Sequence, residues 1–151
     1  IIAITGSSGK TTLKTFLGKT LSMYGRTYYS EKSYNNHYGV PLSLGNLESY
    51  HDYGVFEVGM SKAGEILKLS KIIKPDLVII TNIGEAHLEN FKNINFIAKA
   101  KAEIIQNIRP GGFLLLNKDD KFFSFFLIAC VRCPPQVFQK SNCARGGGAM
   151  R

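Results

Sequence analysis

The chain has 151 residues, of which 44% are hydrophobic, and a formal net charge of +8 at pH 7. This size allows a domain with its own core, and no apolar run reaches the ~18 residues of a membrane-spanning helix. A positive charge can indicate nucleic-acid binding, but the lysines of this chain are spread along predicted helices, which is typical of solvated helix faces. We therefore expect no membrane insertion and no nucleic-acid partner.

The predicted elements alternate between strand and helix along the chain. Runs of β-branched and other apolar residues predict strands, and apolar residues at spacings of three and four predict helices. In chain order they are a strand at 1–4, a helix at 10–24, a strand at 27–30, a short helix at 41–47, a strand at 53–58, a helix at 64–73, a strand at 77–80, a helix at 93–108 and a strand at 113–116. The first helix is expected to bury Leu13, Phe16, Leu17 and Leu21.

This alternation predicts an α/β fold of the P-loop nucleotide-binding type, with a mainly parallel sheet and helices on both faces. Ligands of such sheets bind at the carboxyl ends of the strands. Polar residues follow several predicted strands, and the fold would gather them at one edge: Lys10, Glu57, His87 and Asn117. That edge is the predicted binding site.

Residues 5–12 read TGSSGKTT and directly follow the first strand. Gly6 and Gly9 allow a tight turn that points amide groups at an anion, and the next helix adds its positive end. Lys10 can reach the outer phosphates of a nucleotide, and the Thr11 hydroxyl can bind Mg²⁺. The residues predicted to bind ATP here are Gly6, Ser7, Ser8, Gly9, Lys10, Thr11 and Thr12.

The loop is shorter than the general phosphate loop, because Ile4 stands where that motif has its first glycine. An ordinary Gly/Ser turn that enters a helix is the alternative. The strand, the glycines, the lysine and the threonine occur together in the required order, which favours the phosphate loop.

Three further residues are candidates for chemistry. Glu57 ends a strand beside the loop, which favours a metal-binding role over that of an exposed carboxylate. A lone histidine such as His87 is more often a surface residue than a ligand. Lys101 lies on the apolar side of its predicted helix, where a buried ammonium would need a partner, unless its stem carries the charge to the surface. Spacing alone does not decide between a buried and a surface position for the Lys101 ammonium.

Four segments, in this order, resemble the central domain of the Mur ligases, the ATP-dependent amide-forming enzymes of bacterial cell-wall precursor synthesis. They are TGSSGKTT at 5–12, TNIGEAHL at 81–88, AKAEI at 100–104 and LNKDD at 116–120. The resemblance implies a monomeric cytoplasmic ligase that uses ATP and Mg²⁺. The confinement of the cysteines to residues 130–143 also fits a reducing compartment.

Two segments indicate one branch of this family. EVGM at 57–60, followed by GEI at 64–66, and YNNHYGVP at 34–41 most resemble the members that join D-alanyl-D-alanine to UDP-N-acetylmuramoyl-tripeptide. These two compounds are the implied partners. The alternatives are another Mur-type ligase, a folylpolyglutamate synthase-like ligase, an inactive ATP-binding fragment and a basic nucleic-acid binder.

The resemblance also implies roles for single residues. Lys10 would bind the β- and γ-phosphates, and a carbamylated Lys101 would help to position Mg²⁺. The implied catalytic residues are Lys10, Lys101 and His87, and the implied metal-binding residues are Thr11, Glu57, His87 and the carbamylated Lys101. Asn35 and Asn36 would lie near the nucleotide-sugar substrate, and Asn117 and Asp119 near the adenosine.

The resemblance covers residues 1–121, which we expect to form the central ATP-binding domain. The N-terminal and C-terminal domains of the family are expected to be absent from this chain, and its natural polypeptide to extend further. Residues 122–151 form an atypical tail, for which a frameshift or disorder would account. We expect the fragment alone not to be fully active.

Overall fold

The structure is a computed structural model that describes residues 1–85, 91 and 93–130, together with the backbone of 136–139. The strands are β1 (Ile2–Thr5), β2 (Thr27–Tyr29), β3 (Tyr53–Glu57), β4 (Leu77–Ile80), β5 (Phe113–Leu116) and β6 (Gln136–Gln139). The α-helices are α1 (Lys10–Leu21), α2 (Gly39–Gly45), α3 (Glu65–Ile73), α4 (Ile94–Ala102) and α5 (Phe123–Cys130). A 3-10 helix, Glu103–Asn107, directly follows α4.

The strands form one parallel sheet in the order β2-β3-β1-β4-β5-β6. The register pairs Thr5 with Ile80 and Ile80 with Leu116, so these strands end at one edge. The predicted α/β fold with a parallel sheet is thereby confirmed. Within the described residues, no helix is long and apolar enough to cross a membrane.

Helices cover both faces of the sheet. On one face α1 packs against a small core from the alternate strand residues Ile4, Val55 and Ile79. On the other face a larger core joins strand residues to α3, α4 and α5, and its members include Ala3, Phe56, Val78, Ile66, Ile97 and Phe126. The phosphate loop therefore leaves the sheet at an edge that helices flank on both sides.

Helix α1 packs Leu13, Leu17 and Leu21 against the small core as predicted, but not Phe16. Phe16 is 63% exposed, whereas Lys14 and Gly18 are buried. Gly18 is packed so closely against Tyr29 that a Cβ would lie 2.3 Å from a ring carbon. The predicted burial of Phe16 is wrong. The close contact of Gly18 with Tyr29 of β2 turns Lys14 and Gly18 toward the sheet and leaves Phe16 facing solvent.

The helix predicted at 93–108 is interrupted. Asn93 caps α4, since its side chain accepts a hydrogen bond from the Asn95 amide at 2.9 Å, but the α-helix ends at Ala102 and continues as the 3-10 helix. At this point the Glu103 carboxylate accepts hydrogen bonds from the Gly64 amide at 2.8 Å and the Leu67 amide at 3.1 Å. Glu103 thus caps α3 from the segment that follows Lys101.

The chain beyond residue 121 is part of the packing. The α5 residues Phe126 and Cys130 are 2% and 6% exposed in the larger core. The β6 backbone pairs with β5, with Val137 opposite Leu114. The boundary at 121 and the character of the tail stay predictions, and residues 140–151 lie outside the described part of the chain.

Candidate active site

The loop between β1 and α1 has a backbone that requires glycine at two positions. Gly6 has φ +146° and Gly9 has φ +78°, and side chains rarely adopt such values. A Cβ on Gly6 would also lie 1.9 Å from the Thr81 Oγ1. Gly9 occupies the N-cap position of α1. The glycines therefore set the path of the chain into the positive end of the helix.

The segment after β4 holds this loop in place. The Ser7 amide donates to the Asn82 carbonyl at 2.9 Å, and the Ser8 amide donates to the Asn82 Oδ1 at 3.0 Å. The Thr81 hydroxyl donates to the Ser8 carbonyl at 2.7 Å, and the Gly84 amide to the Ser7 Oγ at 2.8 Å. The role of Thr81 in holding the loop was not predicted from the sequence, because its hydrogen-bond partner Ser8 lies more than seventy positions away.

Two lysines converge on the loop. The Lys10 and Lys101 ammonium groups each donate to the Gly6 carbonyl at 2.9 Å. Lys101 is 2% exposed, so the inward position is the one that the structure adopts. Burial, together with the nearby charge of Lys10, lowers the pKa of Lys101 to about 7. Burial also lowers the pKa of Lys10, which the Glu57 charge opposes.

Glu57 is buried at the end of β3, and only 2% of it is exposed. Its Oε2 accepts a hydrogen bond from the Thr11 hydroxyl at 2.8 Å, and its Oε1 accepts one from the side-chain Nδ2 of Asn35 at 2.7 Å. A hydroxyl beside a carboxylate is an oxygen donor set that suits Mg²⁺. Thr11 and Glu57 thus fit the metal that the sequence implied.

Within the described part of the chain, no group of three or more His, Cys, Asp or Glu side chains could hold a metal ion. Mg²⁺ characteristically binds through one or two carboxylates together with substrate phosphates and water. A metal at Thr11 and Glu57 would therefore depend on a nucleotide in the adjacent loop.

Lys14 belongs to this site and was missed by the sequence reasoning. Its side chain is 0% exposed, and its ammonium lies 3.9 Å from the Glu57 Oε2. It donates hydrogen bonds to the Ser30 Oγ at 3.2 Å and the Lys32 carbonyl at 2.8 Å. Its spacing of three from Leu17 was the available signal, because it places Lys14 on the buried side of α1.

Beside Lys10 and Lys101 lies a cleft of about 410 Å³. Its lining also includes Asn35, Asn36, His37, Gly59, Met60, Ser61, Lys62 and Glu65. Asn36 uses its side-chain oxygen to cap α2 through the Gly39 amide at 2.9 Å. This cap lets α2 begin at Gly39, two residues before the predicted start.

Thr12, Asn117 and Asp119 do not join this cluster. Thr12 is exposed on α1. Asn117 borders a separate groove of about 590 Å³ along β4 and β5, and its side chain accepts a hydrogen bond from the Asp119 amide at 3.1 Å. His87 lies outside the described residues.

Residues 4–143 match the family model of the Mur ligase middle domain. This chain belongs to the Mur ligase family. It is 43% identical over 124 residues to the UDP-N-acetylmuramoyl-tripeptide–D-alanyl-D-alanine ligase of Buchnera aphidicola (from Acyrthosiphon pisum, strain APS), a match that covers 82% of this chain and 27% of the relative. The chain thus spans about a quarter of the length of the curated relatives that it matches first.

Solved Mur ligases have the same architecture. A crystal structure of MurF from Acinetobacter baumannii superposes with a TM-score of 0.87 at 40% identity, covering 91% of this chain and 30% of that one. MurF from Thermotoga maritima, solved in complex with ADP, gives a TM-score of 0.78 at 31% identity, covering 91% of this chain and 31% of that one. The family resemblance expected from the four sequence segments is confirmed.

Proposed function

We propose that this chain is the ATP-binding domain of a ligase that joins D-alanyl-D-alanine to UDP-N-acetylmuramoyl-tripeptide in the cytoplasm. One observation carries the nucleotide part of this proposal. The Thr11 hydroxyl and the Glu57 carboxylate meet at 2.8 Å beside a loop on which Lys10 and Lys101 converge. This arrangement supplies oxygen ligands for a cation and positive charge for phosphates within one site.

The reaction that this site would support proceeds in two transfers. A carboxylate oxygen of the tripeptide attacks the γ-phosphorus of ATP, the bond to the ADP oxygen breaks, and an acyl phosphate forms. The amine of D-alanyl-D-alanine then attacks the acyl carbon through a tetrahedral intermediate, loses a proton, and phosphate leaves as the amide forms. A bound Mg²⁺ would neutralise charge on the phosphoryl oxygens.

The chain's own residues would orient these groups. Lys10 would exchange its bond to the Gly6 carbonyl for one to the β- and γ-phosphates. Thr11 and Glu57 would hold the metal, and the loop amides and α1 would receive the phosphates. Gly6, Ser7, Ser8, Gly9 and Thr12 complete the proposed nucleotide-binding segment. We assign the adenosine to Asn117 and Asp119 and a second metal contact to His87, as the family resemblance implies.

Lys101 is proposed to carry a carbamate. A lysine amine reacts with carbon dioxide only when it is unprotonated, and burial beside Lys10 lowers the pKa of Lys101 to about 7, which makes the neutral amine abundant near neutral pH. The product is an anion that would pair with Lys10 and help to position Mg²⁺.

The nucleotide-sugar substrate is assigned to the cleft beside Lys10 and Lys101, with Asn35 and Asn36 on its wall. The assignment to D-alanyl-D-alanine and the tripeptide rests on the names of the relatives. We further propose that residues 1–121 form the central domain, that the ligase acts as a monomer and that turnover requires flanking domains.

Mg-ATP binding by calorimetry tests the nucleotide site. We expect the chain to bind Mg-ATP and Lys10→Ala to weaken binding by a factor of about 10–100, because a hydrogen bond between charged groups contributes about 1.5–3 kcal/mol. Lys19→Ala is the matched control, because Lys19 is exposed on the same helix. A chain that binds Mg-ATP equally well with and without the Lys10 ammonium would contradict the proposal.

Substrate identity requires the longer ligase with its flanking domains. Phosphate release that depends on D-alanyl-D-alanine and the UDP-linked tripeptide would support the assignment. Release with a different amine acceptor would indicate another ligase of this family. Nucleotide binding without release by any acceptor would indicate an inactive ATP-binding protein.

A further inference from the structure

Lys14 is a charged side chain placed inside the small core beneath α1. It is 0% exposed, and Leu13 and Leu17 of the same helix pack into that core. Enclosing an ammonium in this way costs free energy unless its surroundings supply polar partners and opposite charge. The groups around the Lys14 Nζ must therefore supply these partners.

The Lys14 ammonium joins two other parts of the site. It donates to the Ser30 Oγ at 3.2 Å and to the Lys32 carbonyl at 2.8 Å, in the segment after β2. It also lies 3.9 Å from the Glu57 Oε2 at the end of β3. One buried cation thus connects α1 with the segment that leads to Asn35 and with the carboxylate proposed to bind the metal.

Each oxygen of Glu57 accepts one hydrogen bond and keeps a second lone pair for a cation. Its Oε1 accepts from the side-chain Nδ2 of Asn35 and its Oε2 from the Thr11 hydroxyl. Lys14 donates hydrogen bonds to Ser30 and Lys32, and it faces Glu57 at ion-pair distance. It therefore offsets the carboxylate charge at a distance longer than a hydrogen bond.

We propose that Lys14 is a positioning residue for the metal site: it holds Glu57 and the segment of Ser30 and Lys32 in the arrangement that binds Mg²⁺ with the nucleotide. This role rests on the proposed Mg-ATP site. Residues that orient a metal ligand without touching the metal typically change metal affinity by about 10–100-fold when they are replaced.

The test measures ATP affinity of the full chain by calorimetry over a series of Mg²⁺ concentrations. We expect Lys14→Met to raise the Mg²⁺ concentration that gives half of the maximal effect by about 10-fold or more. ATP affinity without Mg²⁺ should stay near that of the wild type, and Lys14→Arg should restore part of the Mg²⁺ response. Lys19→Met, on the exposed side of the same helix, is the control.

A double-mutant cycle with Glu57→Gln separates positioning from general damage. If Lys14 acts through Glu57, adding Lys14→Met to Glu57→Gln should cause no further change in Mg²⁺ dependence. An equal change in both backgrounds, or a Lys14→Met response that matches the Lys19→Met control, would overturn the inference. A wild-type chain whose ATP binding ignores Mg²⁺ would overturn the proposed function itself, and the Lys14 role with it.

Thermal unfolding without metal or nucleotide covers the case in which Lys14→Met folds poorly. The single substitution leaves Glu57 buried without its cation, whereas Glu57→Gln in the double variant removes that charge. We expect the double variant to unfold at a higher temperature than Lys14→Met. A double variant that is no more stable than the single one would show that Lys14 does not act with Glu57.

Discussion

Lys14 and Lys101 are both buried beside the phosphate loop, on helices that pack against opposite faces of the sheet, and their surroundings differ in charge. Lys14 faces the Glu57 carboxylate and donates to two oxygens. Lys101 donates to the Gly6 carbonyl and has the like charge of Lys10 nearby. The two side chains are almost equally inaccessible, but Lys14 has an ion-pair partner whereas Lys101 lies in a site that disfavours its charge.

Burial alone therefore does not assign a role to a lysine. Burial lowers the pKa of Lys14 and the Glu57 charge opposes this, whereas Lys10 adds to the lowering of the pKa of Lys101 by burial. The first environment suits a permanent cation that organises its neighbours. The second suits an amine that loses its proton and reacts.

Replacing each lysine by methionine should give the largest contrast, in the free energy of unfolding. Lys14→Met should destabilise the chain by about 3 kcal/mol, the lower end for a broken buried ion pair, because it removes the ion-pair partner of Glu57 while Lys10 remains nearby. Lys101→Met should be neutral or stabilising near pH 7, since Lys10 still donates to the Gly6 carbonyl and the replacement ends the cost of a buried ammonium. Denaturant unfolding of both variants, with Lys19→Met as the control, measures the change in the free energy of unfolding. Equal destabilisation by Lys14→Met and Lys101→Met would contradict the proposed difference between the two lysines.

The pH dependence of the free energy of unfolding should also distinguish Lys101 from Lys14. The pKa of Lys101 is about 7 in the folded chain and about 10.4 in an unfolded one. Between these values the unfolded state binds more protons, so the cost of the buried charge is full below pH 7 and is relieved as the pH rises. Relative to Lys101→Met, the wild type should gain at most about 1.4 kcal/mol per pH unit in this window.

Unfolding measured at several pH values in bicarbonate-free buffer tests this slope. Both chains keep the other lysines of the site, so the difference between them isolates Lys101. A wild-type curve parallel to that of Lys101→Met from pH 7 to pH 9 would contradict the lowered pKa. Lys14→Met should not remove the slope, because Lys101 is still present.

The sequence predicted strands β1 to β5, the glycine turn and the position of Glu57 at a strand end, because each depends on residues close together in the chain, whereas α5 and β6 were not predicted. Strand runs and glycines act locally, and a strand end fixes the edge on which Glu57 lies. Lys14 and Thr81 were not recognised, since their partners come from distant segments whose approach only the folded chain shows. Phe16 was misplaced for the same reason: the close contact of Gly18 with Tyr29 sets the rotation of α1.

The smallest expected change is a covalent one confined to one of the two lysines. In bicarbonate near neutral pH, intact-mass analysis of the ligase should show the addition of one carbon dioxide, and Lys101→Met should abolish it, whereas Lys14→Met should retain it. The reason is that burial and Lys10 both lower the pKa of Lys101, to about 7, whereas at Lys14 the Glu57 charge opposes the lowering of the pKa by burial. An adduct that survives Lys101→Met and disappears with Lys14→Met would reverse the roles of the two lysines. Freshly prepared, active ligase with no adduct under conditions that preserve carbamates would contradict the modification of Lys101 while leaving the role of Lys14 intact.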